Sequence, residues 1–271
     1  MKQRLIVAAV GVPLLLLILL WAPAWATSAM CALLAAVASY ELMRAVGGEE
    51  WELLPAMPVL AAAMTGALGT RELDVAPLWI LAGVFAVILY AFLVAIATHG
   101  KEKRLGFATL AAGIFSATAL PAGLAGLSLL RYVSPALALT PLIGAFMSDT
   151  GAFFAGRALG RHKLCPAVSP HKTVEGSVGG FIGSVAGMAV WQLAVRAIVP
   201  LEIGWLLVIA LGLVGSALGQ IGDLSFSVIK REYGIKDYGS IFPGHGGVLD
   251  RFDSVVFVAP AYYLIFTAAL A

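Results

Sequence analysis

The residue types best suited to chemistry lie in one polar segment, residues 227–253, which separates two long apolar runs. The segment combines glycines with basic side chains and carboxylates. Basic side chains bind phosphate oxygens, and carboxylate oxygens are ligands that Mg²⁺ prefers. The mixture therefore suits the binding of phosphates and a divalent cation at a membrane surface. The residues that carry this chemistry are Lys230, Arg231, Lys236, Asp237, His245, Asp250, Arg251 and Asp253.

A second polar segment, residues 149–176, contains Ser169-Pro170-His171-Lys172-Thr173. Two hydroxyls and an ammonium so close in sequence suit a nucleotide phosphate, and we expect a turn here. Other basic residues in the segment are explained equally well by the tendency of cytoplasmic loops to be basic.

Two aspartates lie within apolar runs. Asp149 and Asp223 come seven or eight residues before a basic residue, Arg157 or Lys230, that marks the membrane surface. At 1.5 Å per residue, both would lie about 10–12 Å below that surface. Ionisable groups at such depth usually mark function, and two carboxylates on different helices could share a cation across a cavity. The alternative is that each carboxylate is neutralised or paired independently.

Small residues at helical spacing precede Asp223 and predict a helix face that packs closely or lines a cavity. Ser227 and Lys230 continue this face as a polar stripe. Glycines farther along predict a loop. Asp250 and Asp253 then stand at the start of the last helix, where helix capping is the alternative to a role in the site. The small residues are Gly212, Gly215, Ser216, Gly219 and Gly222.

Glu41 is a further acidic residue near the end of an apolar run, three residues before Arg44. An ordinary helical ion pair with Arg44 is one interpretation. A role in a substrate pocket is the other, and the sequence leaves both open.

The elements that position these residues follow from composition. Hydrophobic residues make up 61% of the chain and charged residues 12%, and the mean hydropathy is +0.97. Hydrocarbon cannot hydrogen-bond a backbone, so apolar runs of roughly 20 residues predict membrane-spanning helices. We predict an all-α polytopic integral membrane protein with about nine transmembrane helices and a cytoplasm-facing polar cavity. The predicted spans are 5–25, 27–46, 55–70, 76–98, 105–130, 134–156, 177–199, 203–229 and 253–270.

Lysines and arginines are distributed unevenly between the two sides that nine spans create. Of the 17, all but Arg71, Arg131 and Arg196 fall on the side of the N-terminus. Cytoplasmic loops carry such an excess, so the N-terminus and both polar segments are predicted to face the cytoplasm. The same asymmetry explains the net charge of +2 without nucleic-acid binding.

Residues 227–253 resemble the signature of the bacterial phosphatidate cytidylyltransferase family. The matching residues are Ser227, Lys230, Arg231, Lys236, Asp237, Pro243, His245, Gly246, Gly247, Asp250, Arg251 and Asp253. A second family motif is matched by Asp149, Thr150, Gly151, Ala152, Gly156, Arg157, Ser169, Pro170, Lys172, Thr173, Glu175 and Gly176. The resemblance therefore implies a catalytic region at 131–271 and a variable set of transmembrane helices at 1–130.

The resemblance implies an inner-membrane enzyme that converts phosphatidic acid and CTP into CDP-diacylglycerol and pyrophosphate with Mg²⁺. The implied metal ligands are Asp223 and Asp250, with Asp149 and Asp253 as further ligands or as their partners, and a second cation could share the site. The implied catalytic residues are Asp223, Asp250, Lys230, Arg231 and His245. The implied substrate-binding residues are Ser169, Lys172, Thr173, Ser227, Lys236, Gly246, Gly247 and Arg251. His245 could protonate or hydrogen-bond the pyrophosphate, or it could orient the glycine-rich loop.

Two other functions stay open. A CTP-dependent polyprenol or phytol kinase is the nearer alternative, although the complete signature disfavours it. A membrane transporter is the more distant one, and it would leave the glycine-rich loop without a purpose. CTP, phosphatidic acid and the lipid bilayer are the expected partners, nucleic acid is not expected, and the small-residue helix faces are compatible with a homodimer.

Overall fold

The computed structural model describes residues 2–69, 76–198, 203–241 and 246–270. Its apolar runs form helices because a helix satisfies its own backbone hydrogen bonds. The described elements are α1 (Lys2–Leu20), α2 (Ala24–Gly47), a 3₁₀ turn (Glu50–Leu53), α3 (Met57–Leu68), α4 (Ala76–Thr98), α5 (Phe107–Val133), α6 (Pro135–Ala138), α7 (Thr140–Leu159), β1 (Lys163–Cys165), β2 (Ser169–Thr173), α8 (Val174–Arg196), α9 (Trp205–Glu232) and α10 (Leu249–Leu270).

Seven helical stretches among these residues are long and apolar enough to cross a membrane. They are Ala24–Gly47, Leu78–Thr98, Phe107–Val133, Pro135–Leu159, Val174–Arg196, Trp205–Glu232 and Leu249–Ala269. Helix α1 contains the apolar stretch Ala9–Leu20, and Met57–Leu68 is a shorter apolar helix. The prediction of an all-α polytopic membrane protein is confirmed, whereas the count of nine spans stays a prediction.

Some predicted boundaries differ from the structure. The predicted span 134–156 is interrupted at Leu139, between α6 and α7, where Pro141 supplies no N–H to a continuous hydrogen-bond ladder. The predicted turn at residues 169–173 is wrong, because this segment pairs antiparallel with β1 and forms β2. The last helix begins at Leu249 rather than at residue 253, which places Asp250 in its first turn.

The helices cross closely where one of them carries glycine. A Cβ added to Gly183 of α8 would lie 2.5 Å from the Met147 carbonyl oxygen of α7. A Cβ on Gly222 of α9 would lie 2.7 Å from the Asp253 carbonyl oxygen of α10. Real side chains do not tolerate such distances, so these faces require glycine. The predicted close packing of the small-residue faces is confirmed.

Helix α10 also packs against α5, from the first half of the chain. A Cβ on Gly126 would lie 2.6 Å from the Ala259 carbonyl carbon, and one on Gly123 would lie 2.5 Å from the Val256 carbonyl oxygen. The helix that carries Asp250 is therefore enclosed by α5 and α9.

Contacts between loops gather the most basic parts of the chain at one end of the bundle. Lys103 Nζ lies 3.7 Å from Glu49 Oε2, joining the loop after α4 to the short connection after α2. Glu41 of α2 accepts a hydrogen bond from the Val248 N–H at 3.0 Å, joining α2 to the start of α10. We call this end of the bundle the basic end. It comprises residues 41–53, 98–107, 159–174 and 229–241 together with 246–250.

Candidate active site

A cavity of about 460 Å³ lies between α7, α8 and the β1–β2 hairpin, near the basic end. Asp149, Lys172 and Gln220 contribute polar groups to its wall. Phe153, also in the wall, is 59% exposed, so the cavity borders the apolar outer surface of the bundle. The remaining lining residues are Ala152, Gly156, Arg157, Leu164, His171, Thr173, Gly176 and Ser177.

An ion pair connects the hairpin to α9. Lys172 of β2 pairs with the Oδ2 atom of Asp223, and both side chains are about three-quarters buried. Ser227, one turn farther along α9, donates a hydrogen bond to Asp223 Oδ1 at 3.4 Å. The structure thus brings together a predicted substrate-binding lysine and a predicted metal ligand.

Three carboxylates from three helices lie within electrostatic range of one another: Asp149 of α7, Asp223 of α9 and Asp253 of α10. Asp149 and Asp223 stand ten and nine residues before the ends of their helices, so both lie about 14–15 Å from those ends. The charges of Lys172 and Lys230 act on Asp149 and Asp253 respectively. Clustered carboxylates repel one another unless nearby cations neutralise their charge. Lys172 and Lys230 supply part of that neutralisation here.

Asp250 stands beside this cluster and organises the loop before α10. Its Oδ1 atom accepts a hydrogen bond from Lys230 Nζ at 2.9 Å. Its Oδ2 atom accepts the backbone N–H groups of Tyr238 and Gly247 at 2.8 and 2.9 Å. Gly246 has φ +84°, where a side chain would be strained, and an added Cβ would also lie 2.8 Å from Asp250 Oδ2. Asp250 therefore ties α9, the loop and α10 together.

Tyr238 closes the inner side of this loop. Its hydroxyl donates to the Phe226 carbonyl oxygen at 2.9 Å, and Lys230 Nζ lies 5.5 Å from its ring centroid. Burial, reinforced by the charges of Asp250 and Asp253, raises the pKa of the Tyr238 phenol above its ordinary value. The hydroxyl therefore stays protonated and keeps its role as a donor.

The β-hairpin is fixed at its base and at its tip. Glu175 accepts the backbone N–H groups of Arg161 and His162 at 3.0 and 3.2 Å, and its other oxygen lies 2.6 Å from His162 Nδ1. At the tip, Arg231 Nε donates to the Val168 carbonyl oxygen at 3.1 Å. These contacts hold Lys172 between the cavity and α9.

The described carboxylates do not form a complete metal site by themselves. Within the described ranges, no group of three or more His, Cys, Asp or Glu side chains could hold a metal ion by itself. Asp223 is paired with Lys172, and Asp253 Oδ1 accepts the Ser254 N–H at 2.7 Å. Mg²⁺ commonly takes one or two protein carboxylates and completes its shell with substrate phosphates and water. The donor set present here matches that mode of binding.

Comparison with known proteins places the chain in a family. The model of the cytidylyltransferase family matches residues 2–269. The chain belongs to the cytidylyltransferase family. The phosphatidate cytidylyltransferase of Bacillus subtilis (strain 168) is 48% identical over 118 residues, which are 44% of this chain and 42% of that protein. The phosphatidate cytidylyltransferase of Staphylococcus saprophyticus is 50% identical over 115 residues, 42% of this chain and 43% of that protein. The matched segment spans less than half the length of either relative.

For this member of the cytidylyltransferase family, the resemblance drawn from the sequence is confirmed at the level of the family. Of the predicted site residues, the structure gathers Asp149, Asp223, Asp253 and Lys172, with the Lys230–Asp250 pair adjacent. Others lie around them. Ser227 contacts Asp223, Gly246 and Gly247 surround Asp250, Arg251 acts electrostatically on Asp149, and Thr173 lines the cavity.

Three predicted residues stand apart from the cluster, and one cannot be placed. Arg231 contacts the hairpin tip, and Ser169 lies opposite Cys165 in the hairpin. Lys236 is exposed on the loop. His245 lies outside the described residues. The roles assigned to these four residues stay predictions.

Sequence reasoning missed a partly buried polar network at the cavity wall. Gln220 Nε2 donates to Ser216 Oγ at 2.9 Å, Ser216 Oγ lies 2.8 Å from Ser148 Oγ, and Ser177 Oγ donates to Gln220 Oε1 at 2.5 Å. The network joins α7, α8 and α9. A glutamine inside an apolar run three residues before Asp223 was the available signal, because polar side chains within membranes usually find partners on other helices.

Proposed function

We propose that this protein is a CTP:phosphatidate cytidylyltransferase, which forms CDP-diacylglycerol and pyrophosphate in phospholipid biosynthesis. The observation that carries the proposal is the cluster of Asp149, Asp223 and Asp253 with Lys172 and Lys230, beside a cavity that borders the apolar surface. Family membership and the names of the relatives support the same activity.

The reaction needs positioning and charge neutralisation more than a protein nucleophile. A phosphate oxygen of phosphatidic acid attacks the α-phosphorus of CTP, a new P–O bond forms, and the bond to the β-phosphate oxygen breaks to release pyrophosphate. The attacking phosphate is already anionic at neutral pH. The protein therefore has to hold two anionic groups together against their repulsion.

We assign Mg²⁺ to the carboxylate cluster. Asp149, Asp223 and Asp253 would hold it, and Asp250 would take part if its bonds to Lys230 and the loop opened. The ion would supply charge stabilisation for the phosphate oxygens when bound. A second cation is compatible with this number of carboxylates.

Different basic side chains would bind phosphates at different positions in the site. Lys172 and Arg157 face the cavity and would bind a phosphate entering there. Lys230 and Arg251 act electrostatically on Asp253 and Asp149 respectively, and would bind a second phosphate. This division brings a phosphate held at the cavity next to one held at the loop before α10.

We propose that the protein lies in the cytoplasmic membrane with the N-terminus and the basic end in the cytoplasm. Contacts at the basic end support this arrangement, since they join loops that carry most of the lysines and arginines. CTP would then reach the site from the cytoplasm. Phosphatidic acid would enter sideways past Phe153, whose ring is exposed on the apolar surface. A homodimer stays a prediction.

The deciding experiment gives purified protein phosphatidic acid, Mg²⁺ and CTP labelled at the α or the γ phosphate, and measures label in the lipid phase. We expect transfer from the α position alone, and its loss with a chelator. Transfer from the γ position alone would indicate a lipid kinase. Absence of transfer to any lipid acceptor would favour the alternative that the protein is a transporter.

A further inference from the structure

Glu41 lies deep in the bundle and points at the first turn of α10. Its side chain belongs to α2, and the residue is 2% exposed. One carboxylate oxygen accepts the Val248 N–H at 3.0 Å, and the other accepts the Leu249 N–H at 2.8 Å. Neither oxygen is directed to Arg44 as in an ordinary helical ion pair, because both are committed to a helix 207 and 208 residues away in sequence.

These two hydrogen bonds satisfy backbone N–H groups at the start of α10. The first N–H groups of a helix have no partner within the helix, and a carboxylate is favoured there by the helix dipole. Val248 and Leu249 are 3% and 0% exposed, so water has little access to replace Glu41. The start of α10 therefore depends on a side chain from the first half of the protein.

The neighbouring glycines make room for this carboxylate. A Cβ on Gly247 would lie 2.5 Å from the Glu41 carboxyl carbon, and one on Gly239 would lie 2.8 Å from it. The loop before α10 thus closes around Glu41 from two sides. A side chain at either glycine would push the carboxylate away from its two N–H donors.

We propose that Glu41 is a positioning residue that fixes the first turn of α10, and with it Asp250 and Asp253, relative to Asp223 and Lys230. This inference rests on the proposed function of the site. Asp250 follows Leu249 directly, so a shift of the first turn would move its contacts to the loop. Asp253 lies one turn farther, within electrostatic range of Asp223.

A matched control exists in the same protein. Glu50 accepts the Gly106 N–H and the Thr109 hydroxyl, each at 2.8 Å, and so holds the start of α5 as Glu41 holds the start of α10. Glu50 contacts none of the site residues through these bonds. Glu41→Gln and Glu50→Gln each remove a carboxylate that accepts a backbone N–H at the start of a helix, although Glu50 is less buried than Glu41. Only the first change should reach the site.

The experiment compares wild type, Glu41→Gln, Glu41→Asp and Glu50→Gln in detergent. Steady-state transfer from α-labelled CTP gives kcat and KM, and amide hydrogen exchange is followed in a peptide containing Val248 and Leu249. We expect Glu41→Gln to lower kcat about 10- to 100-fold, as loss of a residue that orients ligands usually does, and to speed exchange in that peptide. Glu41→Asp should fall between, and Glu50→Gln should retain kcat within about twofold.

Two results would overturn the inference: kcat of Glu41→Gln equal to that of Glu50→Gln, or unchanged exchange at the start of α10. If Glu41→Gln does not fold, the same two measurements on Glu41→Asp decide. Failure of the proposed function looks different, because the wild type itself would then transfer no α label. In that case the exchange comparison still decides whether Glu41 holds the first turn of α10.

Discussion

Lys230 Nζ and Asp250 Oδ1 lie 2.9 Å apart, and their side chains are only 10% and 3% exposed. No other ion pair between described residues is so deeply buried. A charge left alone at such a position is far more costly than a satisfied pair, because no partner then offsets its desolvation. The pair therefore matters to folding of the loop as well as to any chemistry at the site.

We predict that Asp250→Asn lowers both stability and activity. Removing one partner of a buried pair typically costs about 3–5 kcal/mol, because the other charge remains. Thermal unfolding in detergent should show a clear loss for Asp250→Asn and for Lys230→Met. The double variant should lose less than the two single variants together, and additive losses would show that the two side chains do not depend on each other.

Asp223→Asn should nearly abolish turnover while leaving the protein folded. Asp223 pairs with the partly exposed Lys172, so its charge contributes less to folding than that of Asp250. We expect a loss of at least about 100-fold in kcat, since even partners of metal ligands cost 10- to 100-fold. The assay is α-label transfer at saturating Mg²⁺. Glu232→Gln, at the exposed end of the same helix, is the control and should stay active.

Gly183→Ala should destabilise the crossing of α7 and α8. Its Cβ would lie 2.5 Å from the Met147 carbonyl oxygen and 3.0 Å from Gly151 Cα, and both of these are backbone atoms. Overpacking of this kind typically costs about 1–3 kcal/mol. Gly66→Ala is the matched control, because a Cβ there has nothing within 4 Å. Melting temperatures in detergent should fall for the first variant only; equal values would mean that the crossing can widen freely.

Thr173→Val should destabilise the N-terminus of α8, where the hairpin leads into the helix. The Thr173 hydroxyl accepts the Gly176 N–H at 3.1 Å and caps the helix. Losing such a cap costs about 0.5–2 kcal/mol. Thr173→Ser keeps the hydroxyl and should behave like wild type in thermal unfolding. Because Thr173 also lines the cavity, Thr173→Val should raise the KM for the substrate that binds there. An unchanged KM would argue against contact between Thr173 and that substrate.

The sequence was sufficient for the features that depend on local spacing. Helix rise alone predicted matching depths for Asp149 and Asp223, and the glycine spacing of α9 predicted its closely packed face. Pairings between distant segments could not be predicted in the same way. Lys172 meets Asp223 only because residues 169–173 form a strand, and Glu41 meets Val248 across 207 residues. Such contacts depend on how the whole bundle packs.

The position of α10 between α5 and α9 has a consequence for how the protein is made. Synthesis runs from the N-terminus, so α5 and α9 enter the membrane before α10 exists. Until then, the glycines at Gly126 and Gly222 face no partner, and Asp149 and Asp223 lack the helix that completes their cluster. Addition of α10 supplies the packing partner of both glycines and brings Asp253, the third carboxylate, to the other two.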